Sequence, residues 1–381
     1  MLIYNATIHQ NNETFTGSVL IENGTITQIN KNIERPNDER AIDANGLHLI
    51  PGFIDTHIHG ANGQDVMDAS EEALDKMASY LVKEGTTSFL ATTITQSNEQ
   101  IENALKNTAN YRSKPKSSEL LGVHLEGPFV EQSKAGAQPA QFIKKPDLSL
   151  FNTWQQMAGG LIKTITMAPE HDQDQFIEKL RHDGVNVSAG HTDVNFKELK
   201  SAEEKGLNQL THLCNAMNGI HHRDIGAVGG AFMLDSLKAE IIADGIHVSP
   251  EMLELIVQNI GSDRLLLITD AMRAKGLPAG DYELGNQPVT VTKDRATLKD
   301  GTLAGSILNM IDGVKMLYQL PNVDMGDVIK MASSNPAKQL NIDHQKGSID
   351  IGKDADLLLV DDEFNLKLTM TKGEIAHQEG L

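Results

Sequence analysis

Pro51-Gly-Phe-Ile-Asp-Thr-His-Ile-His-Gly60 runs apolar and then abruptly presents Asp55, His57 and His59. Side chains on a strand alternate faces, so His57 and His59 point the same way and can share one ion. The stretch reads as a strand that ends in metal ligands.

Seven more short apolar runs follow: 86–94 (TTSFLATTI), 120–128 (LLGVHLEGP), 162–170 (IKTITMAPE), 185–191 (VNVSAGH), 207–215 (LNQLTHLCN), 239–248 (AEIIADGIHV) and 264–271 (RLLLITDA). They alternate with helix-like amphipathic stretches, the pattern of repeated βα units around a parallel sheet. Between the first and second lies SEEALDKMASYLVKEG, with Ser70 placed to cap a helix and Gly85 to end it. Eight such units predict an α/β fold closed as a (β/α)8 TIM-like barrel. Both chain ends look different. LIYNATI, VLIENGTITQI with its Asn23-Gly24 turn, ADLLLVDD, and LKLTMTKGEIAH with a Lys-Gly turn are β-rich, so the two distant ends are expected to pair in one small sheet domain. The segment LGNQPVTVTKDRATLKDG, after the eighth run, predicts a β-hairpin insertion.

The chain has 381 residues, with 33 Lys+Arg against 52 Asp+Glu and a net charge of -19. That charge repels nucleic acid and anionic membrane surfaces. No basic segment followed by an apolar one opens the sequence, and no apolar run is long enough to span a bilayer, so a soluble, cytoplasmic protein is expected. Its single cysteine, Cys214, has no intrachain disulfide partner.

In a parallel barrel the C-terminal strand ends meet on one face, which brings together polar residues that terminate apolar runs. Those residues are His57, His59, Glu126, His191, His212 and Asp270. Histidine and carboxylate suit Zn, Fe, Mn or Co, and this set suffices for one or two ions. A lone histidine at a strand end is more often a hydrogen-bonded structural residue; six such groups at the ends of five of the eight runs favour a metal centre. A structural zinc site would be richer in cysteine and closer in sequence. His124 shares the facing of Glu126 and reads as a supporting donor or as core packing. Beyond His212, Asn215-Ala-Met-Asn-Gly-Ile-His-His-Arg223 suits a tight loop, and Arg223 suits bidentate contact with a phosphate or carboxylate. Taken alone, that loop is as well explained by basic residues pairing with surface acids. His247 ends the seventh run and is another candidate for a polar ligand.

PGFIDTHIHG, HLEGPF, SAGHTD, THLCNAMNG, DGIHV, LLITDAM and LAGS together resemble the amidohydrolase superfamily, and within it the branch that deacetylates amino-sugar phosphates. The resemblance spans nearly the whole chain. It implies a (β/α)8 barrel at 50–345 with a small β-sandwich built from 1–49 and 346–381. It also implies a primary ion on Glu126, His191 and His212 and a second on His57 and His59, with Glu126 bridging. Asp270 would be the catalytic acid and base. Backbone N–H groups of Asn215 and Ala216 would hold a phosphate, His247 would touch the sugar or its phosphate, and Arg223 would reach the neighbouring subunit's site in a homodimer. Gln138 stands where some relatives place a histidine that polarises the acetyl carbonyl, and is expected to donate a neutral hydrogen bond there. The activity implied is metal-dependent release of acetate from N-acetyl-D-glucosamine 6-phosphate, in amino-sugar catabolism. The rivals are a relative acting on a cyclic amide or nucleobase and a non-catalytic scaffold.

Overall fold

The computed structural model describes residues 1–10, 13–31 and 41–380; the expected domain ranges therefore include positions 11–12, 32–40 and 381 that lie outside the described residues. All eight apolar runs contain strands: Phe53–Ile58, Thr86–Thr93, Glu119–Glu126, Ile162–Met167, Asn186–Ala189, Gln209–Leu210, Lys238–Ile242 and Leu265–Ile268. They pair in that order, each parallel to the next. The eighth returns to the first through a parallel bridge between Ile58 and Ala271, beside which the Asp270 N–H donates to the His57 carbonyl at 2.8 Å. The sheet is a barrel. Its strands are covered on both faces, which is why they read as continuous apolar runs; Thr86–Thr93 is buried at every position.

Asp55 strengthens the seam. Its Oδ2 accepts from Thr269 Oγ1 at 2.5 Å, and its Oδ1 accepts from the backbone N–H groups of His57 at 3.2 Å and Thr269 at 3.3 Å. Although it leads the histidine pair in sequence, its oxygens are committed to joining the first and eighth strands.

The first connecting helix, Glu71–Leu81, begins where Ser70 Oγ accepts from Ala73 N at 3.1 Å. It buries Leu74, Met77, Ala78 and Leu81, one stripe at helical spacing, and its last turn ends at Gly85 with φ 83°.

The two chain ends meet as expected. Strand Leu357–Val360 pairs antiparallel with His48–Pro51, which runs parallel to Leu2–Gln10, and the terminal strands form one eight-stranded sheet. This sheet has a core of its own, including Ile8, Val19, Leu49, Leu359 and Leu368. Its Asn23-Gly24 and Lys372-Gly373 turns have paired positive φ values of 52° and 82°, and 45° and 75°. The insertion is a three-stranded antiparallel sheet, Gly280–Leu284, Gln287–Val291 and Ala296–Thr297; it begins ahead of the Leu284 at which the sequence pattern starts. No helix among the described residues is long and apolar enough to cross a membrane.

Candidate active site

The barrel mouth opens into a cavity of about 380 Å³ whose lining includes His59, Glu126, Gln138, His191, His212 and Asp270. Three of these groups lie two residues past a strand end and turn the backbone left-handed: His191 with φ 48°, His212 with φ 30° and Asp270 with φ 49°. Such conformations are uncommon for non-glycine residues and persist where the surroundings impose them. Here they end the ladder and re-aim the side chain into the mouth. Gly190, just before His191, is required by crowding, because a Cβ there would lie 2.6 Å from that of Thr211.

Glu126 is the hub. Its Oε1 lies 3.2 Å from both His191 Nε2 and His212 Nε2, while its Oε2 lies 3.2 Å from His59 Nε2. His57 Nε2 approaches Glu126 Oε1 at 3.6 Å and Asp270 Oδ1 at 3.4 Å, and His59 Nε2 is 3.2 Å from the same Asp270 oxygen. The six residues expected from the sequence are thus brought together, with His191, His212 and His57 around Glu126 Oε1, His59 at Oε2, and Asp270 against the His57 and His59 pair.

This donor set fits divalent ions. Metal bonds of about 2.0–2.2 Å to nitrogen or oxygen in a tetrahedron place neighbouring ligand atoms about 3.3–3.6 Å apart, close to the separations found here. The tautomers agree. His191 Nδ1 donates to the Lys134 carbonyl at 2.9 Å and His59 Nδ1 to the Thr92 carbonyl at 3.2 Å. His57 Nδ1 faces Glu240 Oε2 at 3.0 Å. Each bond puts the ring proton on the outer nitrogen and leaves the Nε2 lone pair facing inward. His57 Nε2 is buried without a hydrogen-bond partner, as an unfilled ligand atom would be.

The electrostatics point the same way. Burial works against ionising Glu126, yet His57, His191 and His212 around it outweigh burial and hold its carboxyl well below the ordinary range. Burial likewise opposes the charged form of Asp270, but His57 and His59 bring it down to about 2. Burial also disfavours charge on His59, and here Asp270 and Glu126 prevail, raising it to about 10. The carboxylates are thereby held ionised, the form in which they would ligate a cation, and a bound cation would take the place of the proton on His59.

The other sequence candidates divide. Asn215, Ala216 and His247 line the cavity. The Asn215 N–H already donates to the His212 carbonyl at 3.0 Å, whereas His247 Nδ1 is held by Asp244 Oδ2 at 2.6 Å. Gln138 is buried; its Oε1 accepts from Thr95 N at 2.8 Å and its Nε2 donates to Glu126 Oε2 at 2.7 Å, so one amide hydrogen is directed at the hub rather than at a ligand. Arg223 is exposed, lies outside the cavity lining, and has its Nη1 2.7 Å from His222 Nε2. His124 belongs to the core: its Nε2 meets Thr166 Oγ1 at 2.7 Å, its ring packs against His57 at 4.5 Å, and burial pushes its pKa well down.

Sequence reading missed Glu240, Lys134 and Thr92. Two of them act through backbone carbonyls, which no side-chain pattern advertises. Glu240 carried a signal, a carboxylate inside the apolar run 239–243, because a charge buried in a strand requires a partner.

Residues 48–376 match the amidohydrolase family. The chain is 46% identical to N-acetylglucosamine-6-phosphate deacetylase from Bacillus subtilis (strain 168), over 99% of this chain and 97% of that one. It is 43% identical to the Lysinibacillus sphaericus protein of the same name, over 94% and 93%. The crystal structure of N-acetylglucosamine-6-phosphate deacetylase from Thermotoga maritima superposes with a TM-score of 0.90 at 33% identity, covering 100% of both chains. With the barrel, the carboxylate-centred histidine cage and these similarities in agreement, the chain belongs to the amidohydrolase family.

Proposed function

We propose that this chain hydrolyses the acetamide of N-acetyl-D-glucosamine 6-phosphate to D-glucosamine 6-phosphate and acetate. The observation that supports hydrolysis most directly is Glu126, whose Oε1 is approached by His191, His212 and His57 and whose Oε2 is approached by His59, while Asp270 stands beside the His57 and His59 pair. The names of the full-length relatives support the substrate. Glu126, His191 and His212 would hold one divalent ion, and His57 and His59 together with Glu126 could hold a second. A bound ion would supply Lewis-acid polarisation of the amide carbonyl and a water acidic enough to ionise near neutral pH.

The chain's own groups do the rest. Asp270 is held ionised, so it takes a proton from the attacking water and returns it to the leaving nitrogen. Without that return the amine would depart as an anion and the addition would reverse. The Ala216 N–H, with Asn215 beside it and His247 across the cavity, receives the phosphate and sugar. Gln138 has a second amide hydrogen, directed at the acetyl oxygen. The described residues of 1–49 and 346–380 are assigned to the smaller unit, whose strand His48–Pro51 runs two residues past that boundary, and 50–345 to the barrel. A phosphorylated substrate fits a cytoplasmic enzyme.

Metal content and acetate release, measured together on the purified protein, test this reading. Release should require the 6-phosphate and a bound divalent ion; preference for a cyclic amide or nucleobase would replace the substrate assignment.

Arg223, exposed in its own subunit, is assigned to the partner subunit's phosphate in a homodimer. Mixing Asp270→Asn and Arg223→Ala dimers after dissociation should restore activity, since random exchange makes about a quarter of all sites whole under two-fold symmetry. No recovery despite confirmed exchange rejects the cross-subunit role.

A further inference from the structure

Glu240 is fully buried on the seventh barrel strand, yet it is not one of the groups that face the cavity. Three donors converge on its carboxylate. Oε2 meets His57 Nδ1 at 3.0 Å and accepts from the His212 backbone N–H at 3.3 Å; Oε1 accepts from Gln209 Nε2 at 2.7 Å. Gln209 is itself fixed, because its Oε1 accepts from Gln339 Nε2 at 2.8 Å. The relay runs through the barrel interior away from the mouth, and every member is buried.

We propose that Glu240 is a positioning residue that completes the His57 and His59 half of the centre: it fixes His57 as the tautomer with a free Nε2 lone pair and ties that ring to the backbone of His212 in the other half. Two observations make this more than filling of the core. Carboxylates are rarely buried without partners, and the one side-chain donor that an ion needs oriented is the donor Glu240 receives. The far oxygen is also occupied, so the carboxylate has no freedom to rotate away from His57. Gln209 and Gln339 therefore position Glu240 as Glu240 positions His57. The inference rests on the metal-centre reading above.

The chemistry predicts how substitutions differ. Leucine at 240 keeps the volume but leaves His57 Nδ1 without an acceptor, so the ring is free to present Nε2–H inward, where it cannot ligate. Glutamine has one oxygen and one NH2 group. It keeps an acceptor for His57 provided that its NH2 faces Gln209, which the Gln209 and Gln339 amides accommodate by turning over.

The test strips ions from the full-length wild-type protein and from Glu240→Leu, Glu240→Gln, His57→Ala and the His57→Ala/Glu240→Leu double variant. Each is then titrated with Co2+, followed by its visible absorption and by calorimetry. Expected for the last Co2+ taken up is about 10–100-fold weaker binding in Glu240→Leu, partly recovered in Glu240→Gln, with no added loss in the double variant over His57→Ala. Wild-type affinity in Glu240→Leu, or losses that multiply in the double variant, overturns the proposal. Should Glu240→Leu fail to fold, Glu240→Gln decides: it is expected to weaken that ion about tenfold, and unchanged binding would count against the proposal. A wild-type protein that takes up no Co2+ instead removes the metal-centre reading.

Discussion

Two buried clusters in this molecule face the same electrostatic problem and resolve it differently. At the barrel mouth, Glu126 and Asp270 converge with four imidazoles around space that no side chain fills. Where the terminal sheet meets the start of the third barrel strand, Glu119, Asp354 and Asp356 converge, and Lys346 Nζ sits among them at 2.7, 2.8 and 2.6 Å. Burial lowers that lysine's pKa, but the three carboxylates more than reverse it. The sets look alike as lists of acids. The difference is that one is filled by the ammonium of Lys346, whereas the other has imidazole Nε2 atoms turned toward an open cavity and an orphaned His57 Nε2. At the mouth it is convergent ring nitrogens held from behind, rather than carboxylate proximity, that make the cluster a candidate metal site.

The largest expected effect breaks the mouth. Chelation should abolish turnover and a divalent ion restore it, and His191→Ala or His212→Ala should lose both metal and activity. Full activity in protein shown by elemental analysis to be metal-free would end the distinction between the clusters. Asp270→Asn comes next: it removes the proton acceptor and should lower kcat by about a hundredfold or more, with substrate still bound. Wild-type kcat in that variant would move the proton transfer to another residue.

The junction is tested by Lys346→Met, which leaves Asp354 and Asp356 without their cation and Glu119 with Lys372 alone. Denaturant unfolding should show a loss of about 3–5 kcal/mol, the scale for breaking a buried ion pair, with metal content per folded molecule unchanged. Metal loss in step with stability would mean that the clusters are not separate.

The smallest effect is a pH dependence within the terminal sheet. Thr14 Oγ1 meets His9 Nδ1 at 3.2 Å, His9 Nε2 meets His48 Nδ1 at 2.9 Å, and His48 Nε2 meets Asp362 Oδ1 at 2.8 Å, a chain that both imidazoles satisfy while neutral. Burial and then His48 lower the pKa of His9 from 6.5 to about 4, against the opposing charge of Asp324. The unfolded chain therefore takes up this proton at a higher pH than the folded one. The stabilisation is complete above pH 6.5 and is lost as pH falls toward 4. His9→Gln should flatten the decline in stability across that window; identical slopes would remove His9 as its source.

The ligand set was legible because each of its members ends a hydrophobic run, and run ends in a parallel barrel share one face. His57 and His59 followed from strand alternation, and the pairing of the two chain ends followed from their β-rich composition and turn signals. These are local properties, carried by residues within a few positions of each other. Tertiary structure decided the rest. Asp55 sits on the same strand face register as the histidines, but barrel closure brought Thr269 against it and assigned it to the seam. Gln138 directs one amide hydrogen at Glu126 across a loop. Glu240 reaches His57 from 183 positions away. Lys346 fills an acidic cluster whose members come from the third barrel strand and the C-terminal segment. Sequence by itself determined which groups arrive at the mouth, because strand ends and facing are set by short-range periodicity. Which atom each group meets there was decided by the closed barrel and by backbone turned left-handed at His191, His212 and Asp270, since hydrogen bonds act over about 3 Å and only the folded chain brings distant partners that close.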